Sequence, residues 1–142
     1  MEVSLVRKQL LSAIERSKAH AQKRRQRTSE VEDTYRQFLD LTAAPVVRQL
    51  SQALKAEGFP FTVGTPSGGL RLSSDHGRDD YIEISLDTSS DPPQVVGHVN
   101  RVRGSRTLTS ERPIKPDAAP SEISDTDVLT YFVEALEPWL ER

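Results

Sequence analysis

The first forty-four residues contain neither glycine nor proline, and Pro45 is the first of either. An interval of that length without a helix-breaker predicts a long helical arm. All seven glycines then fall between Gly58 and Gly104, where turns between strands need them. The chain therefore reads as an arm (1–44) leading into an α+β sheet domain (45–142) that a last amphipathic helix closes.

On a helical wheel Val3, Val6, Leu10 and Ile14 share one face, and Val31, Tyr35, Phe38 and Leu39 return to nearly the same face. Between them the stripe narrows to Ser17, His20, Ala21, Arg24 and Thr28. A strict heptad would carry Ser17, His20, Arg24 and Arg27 at its seam, which argues against a tight two-stranded coil along the whole arm. Ser29 and Glu32 have the form of a capping box. With no Gly, Pro or Asn to reverse the chain there, one continuous helix of roughly 60 Å is the expectation.

Pro45 is expected to stop or kink the arm, because it has no N–H to donate and its ring crowds the preceding turn. A second helix follows, with Val46, Val47, Leu50, Ala53 and Leu54 on its apolar face and Gly58 as terminator. The period then changes to two. Phe59, Phe61 and Val63 alternate, then Leu70 and Leu72, then Ile82, Ile84 and Leu86. Residues 66–69 and 75–79 supply short reversals, so these strands should form an antiparallel meander. Residues 95–102 and 106–112 flank Gly104-Ser105 as a second hairpin, giving about five strands. The proline-rich stretch 113–120 reads as an extended crossing segment, and Ser124 with Asp127 opens a helix from Asp125 to Arg142. Phe132, Leu136 and Trp139 should anchor that helix to the sheet.

Hydrophobic residues make up 35% of the chain and charged residues 28%, leaving more polar surface than a compact globule of this size needs. An exposed, elongated part accounts for the excess. The net charge of −2 conceals a division: residues 1–57 hold 11 basic against 7 acidic side chains, and residues 58–142 hold 8 against 14. The arm is basic and the sheet domain acidic. The absence of cysteine excludes disulfides, thiol nucleophiles and Cys-bound zinc. With no leader-like N-terminus and no long apolar run, a soluble, cytoplasmic chain with no membrane partner is expected.

Three surfaces are candidates for function. The apolar stripe of a straight arm exceeds what the sheet domain can cover, so Val6, Leu10, Ile14, Val31, Tyr35 and Phe38 are expected to mediate self-association. Arg16, Lys18, Lys23, Arg24, Arg25 and Arg27 are interrupted by no acidic residue, and such a run could contact the phosphates of a nucleic acid. It lacks interleaved aromatics for base stacking, which leaves a solvated basic helix as the plainer reading. On the second hairpin His98 and Asn100 could line a groove, and Arg101, Arg103, Arg106 and Arg112 could take an anion. Edge-strand charges that suppress aggregation require no ligand, however. The Asp75–Asp80 loop groups a histidine with three carboxylates but matches no metal-binding spacing and reads as a turn.

No Gly-x-Ser-x-Gly, no cysteine and no phosphate-binding loop is present, so neither an enzyme nor a cofactor is expected. The leading expectation is a non-catalytic protein–protein interaction or oligomerisation module that forms a homodimer through its arm and meets another protein. A nucleic-acid-associated protein using residues 16–27 is the alternative, and a small-ligand or metal-binding sheet domain comes third.

Overall fold

The computed structural model describes residues 1–141, and the architecture is α+β as the sequence predicts. Helix α1 runs unbroken from Val3 to Phe38, followed by a π-helical segment Leu39–Ala43 and helix α2 (Ala44–Ala56). Pro45 therefore does not stop the helix. The Ala44 N–H bonds to the Leu39 carbonyl, five residues back. The widened π turn carries the helix past Pro45, the one residue that cannot donate, which sits at the start of α2. Gly58, at φ 87°, ends α2 in the left-handed conformation open to glycine.

Five antiparallel strands follow in simple meander order: β1 (Phe61–Gly64), β2 (Leu70–Ser74), β3 (Tyr81–Asp87), β4 (Gln94–Arg103) and β5 (Arg106–Pro113). Helix α3 spans Asp125–Leu140; the sequence reading extends it to Arg142, which lies outside the described residues. Its start is the predicted one. Ser124 Oγ accepts the Asp127 N–H, and the Asp127 carboxylate accepts the Ser124 N–H in return.

One sheet face carries the core. Phe61, Leu70, Leu72, Ile82, Ile84 and Val95 point from the strands toward Val47 and Leu54 of α2 and Val128, Phe132 and Leu136 of α3. Strand alternation puts Arg71, Tyr81, Glu83, His98 and Glu111 on the opposite face, where they form a polar ladder. The crossing segment is packed as well, with Ile114, Ala118, Pro120 and Ile123 buried.

One further sequence expectation changes. Tyr35 and Phe38 are only 5% and 4% exposed and belong to this same core, so they are not contacts for a second chain. The Tyr35 hydroxyl reaches the Gly68 carbonyl at 2.8 Å and ties the helix to the β1–β2 turn. Helix α3 carries more apolar side chains than it buries: Leu129, Val133 and Leu140 are about two-fifths exposed, while Tyr131, one position from Phe132, is buried.

Candidate interaction surfaces

From Val3 to His20 every residue of α1 is exposed except the half-buried Ala13. Eighteen residues at 1.5 Å each make this a projecting rod of about 27 Å. Val3, Val6, Leu10 and Ile14 on its stripe are 83%, 50%, 58% and 39% exposed. Leu5 and Leu11 are also about half exposed, and Leu11, beside Leu10 and three residues before Ile14, widens the apolar surface. The sequence reading passed over both because they lie off the central stripe. Ala21 and Thr28, further along that stripe, are half-buried and line a hollow with Thr88–Asp91 of the β3–β4 loop. Val31 is half-buried too. One helical face thus passes from intrachain packing at 21–38 to exposure at 3–14.

The basic segment lies over this transition. Arg16, Lys18, Lys23, Arg24, Arg25 and Arg27 are all exposed. Arg27 meets Asp91 at 3.3 Å, and Arg24 and Arg25 line the hollow shared with the loop. Part of the positive charge therefore faces the acidic β3–β4 loop of the same chain. Two exposed partners of this kind contribute little to stability in water. At the start of that loop Asp87, the last residue of β3, accepts both the hydroxyl and the N–H of Ser89, bonds that hold its carboxyl below the usual carboxylate range.

The hairpin residues divide between the two faces of the sheet. His98 and Asn100 lie on the polar face: His98 Nδ1 is 3.8 Å from Glu111, its ring is 6.1 Å from that of Tyr81, and Asn100 donates to the Asp79 carbonyl. Arg71 extends this ladder, with Glu83 at 3.1 Å and the Tyr81 ring at 3.9 Å. His98 and Asn100 therefore do not share a site with Arg101 and Arg103. Asp80 has a structural partner set, accepting from the Val102 N–H at 2.8 Å and the Trp139 indole N–H at 3.4 Å. Among the described residues no three His, Asp or Glu side chains stand close enough together to hold a metal ion.

The helix-bearing face gathers what the sequence shows only as scattered arginines. Register pairs Arg103 with Arg106, Arg101 with Leu108, Val99 with Ser110 and Gly97 with Arg112. All of these side-chain positions alternate onto the face that carries α3. β3 begins at Tyr81, opposite Asn100, so the hairpin from Arg101 to Leu108 overhangs the body of the sheet. Helix α3 walls the other side, and the open groove between them is about 420 Å³, lined by Val99, Leu108, Ala135 and Pro138 together with Arg101 and Arg112. Arg112 is engaged, 2.9 Å from Glu134 and stacked 4.7 Å from the Tyr131 ring centre. Arg101 lies 5.8 Å from the Trp139 ring centre. Among the described residues no carboxylate pairs with Arg101, Arg103 or Arg106. Burial pushes the Tyr131 hydroxyl up to about 12, against the pull of Arg112 and with the push of Glu111. It remains a neutral wall of the groove.

No known protein family matches this chain, and neither a curated protein nor a solved structure shows significant similarity to it.

Proposed function

We propose that this chain is a non-catalytic interaction module that self-associates through the free end of α1. The observation that carries the reading is the exposure of Val3, Val6, Leu10 and Ile14 on a stretch of helix, Val3 to His20, in which every residue but Ala13 is exposed. Large apolar side chains on one face of a rod favour a second helix across them, because pairing removes that surface from water without bending either rod. The contact set is smaller than the sequence suggests: it is confined to the first four turns, with Leu11 at the margin.

Charge decides the orientation. Two parallel arms would set both 16–27 segments side by side, like charge against like. Antiparallel arms crossing near Leu10 place these segments at opposite ends of the pair. The same segment in contact with Asp91 offers less free charge to a polyanion than its composition implies, so self-association is preferred to nucleic-acid binding.

The chain has no cysteine, so single-cysteine variants report contacts cleanly. Leu10→Cys, treated with a short bismaleimide at micromolar concentration, should yield a band at twice the 15.9 kDa chain mass. Gln26→Cys, on the far side of the helix, should not. Equal linking of the two, or none in either, would refute the arm contact.

A further inference from the structure

We propose that the outer edge of β5 and the arginine face beside it form a docking site for an extended acidic segment of a partner protein, which joins the sheet as a sixth strand. This site is separate from the arm. Three features meet there.

The first is an open edge. β5 is the last strand of the sheet, and all of its residues from Arg106 to Arg112 are exposed. The Ile114 N–H bonds to the Val95 carbonyl at 3.0 Å, which fixes the phase of the ladder. Counting back by twos, Arg112, Ser110, Leu108 and Arg106 direct their backbone groups to β4. Thr107, Thr109 and Glu111 therefore direct N–H and C=O outward, in the alternation that an incoming antiparallel strand requires. Pro113, with no N–H, ends this edge.

The second feature is charge at matching spacing. An added strand would place alternate side chains on the α3 face, about 6.8 Å apart, beside Arg106, Leu108, Ser110 and Arg112 and within reach of Arg101 and Arg103. Carboxylates at those positions meet Arg101, Arg103 and Arg106, which have no acidic partner among the described residues, while Arg112 is already paired with Glu134. Arginine forms paired hydrogen bonds to a carboxylate, and a partly enclosed groove strengthens them. The third feature is an apolar floor, Val99, Leu108, Ala135 and Pro138, that takes the hydrocarbon part of such side chains.

Alternative occupants fit less well. A second copy pairing edge to edge would bring two arginine strips onto one face, like charges together. A nucleic acid would use none of the outward backbone donors, would meet Glu134 beside the strip, and would find Tyr131 buried and not free to stack.

The probe is a fluorescein-labelled, end-blocked octapeptide of alternating Glu and Val, followed by anisotropy against the full chain. Saturable binding is expected, weakened at least tenfold in the Arg101→Gln/Arg106→Gln variant and unchanged in Leu10→Asp, so that failure of the arm reading leaves this result standing. N-methylation of one alternate set of peptide amides should abolish binding, while methylation of the other set should not, and this readout needs no change to the protein. No binding, or equal binding of the two methylated peptides, would overturn strand addition. A single-stranded oligonucleotide that binds more tightly than the peptide and displaces it would overturn the choice of partner.

Discussion

Gly97 is buried opposite Tyr131, and a Cβ at this position would lie 2.1 Å from the ring carbon Cζ and the hydroxyl. The strand needs glycine here for space, because no unusual backbone angle is involved. Gly97→Ala should therefore destabilise the fold by about 1–3 kcal/mol, the scale of overpacking. In urea melts a double variant with Tyr131→Ala should lose far less than the sum of the two single changes. Nothing in the residue order hints at this pairing; it depends on which turn of α3 crosses which residue of β4. Tyr35 presents a second residue-level case. Its pattern places it on the apolar stripe, but periodicity cannot say which surface that stripe meets. Burial and, to a lesser degree, the Glu83 charge raise its pKa well above the ordinary tyrosine value. A raised folded pKa means that this contribution to stability is whole below about pH 10 and is lost as pH climbs beyond it. Tyr35→Phe removes the bond to Gly68 at a cost of about 1 kcal/mol at neutral pH. Its urea midpoint should then fall less steeply than the parent's between pH 9 and 11.5.

At the scale of elements the start of α3 was legible because capping is local: Ser124 and Asp127 stand three residues apart and satisfy each other's N–H. Ser124→Ala should cost about 0.5–2 kcal/mol. The Asp127 carboxyl is held below its usual range chiefly by the Ser124 N–H, with the Ser124 hydroxyl and the Lys115 charge adding to it. A depressed folded pKa contributes stability above the unfolded value of about 3.9, lost as pH falls through it toward the folded value. The stability gap between the parent and Asp127→Asn should accordingly narrow in urea melts as pH falls below about 4. Strand alternation was legible for the same local reason, and the meander follows from turns too short for crossovers. The junction at Pro45 was not. A proline predicts an interruption, and a π turn absorbs it only because Ala44 finds a carbonyl five residues back. The arginine face of the hairpin also lay beyond sequence. Arg101, Arg103, Arg106 and Arg112 are close in number, but register alone places all four on one side of the sheet.

At the scale of the whole molecule the chain separates its tasks along its length. A two-layer body buries Phe132, Leu136, Ile82 and Ile84 almost completely, and that core extends to Tyr35 and Phe38 at the base of α1. Beyond Ala21 the same helix projects with its apolar stripe uncovered. The body completes itself and the arm does not, which is why self-association, with any partner strand docking elsewhere on β5, is the central claim. Sedimentation equilibrium of the full chain at micromolar concentration tests it most directly. The expected mass lies above 15.9 kDa and falls to 15.9 kDa in Leu10→Asp, with the fold of the body retained because Leu10 is 58% exposed. A parent chain that sediments as a strict monomer, or a Leu10→Asp variant that retains the larger mass, would contradict it.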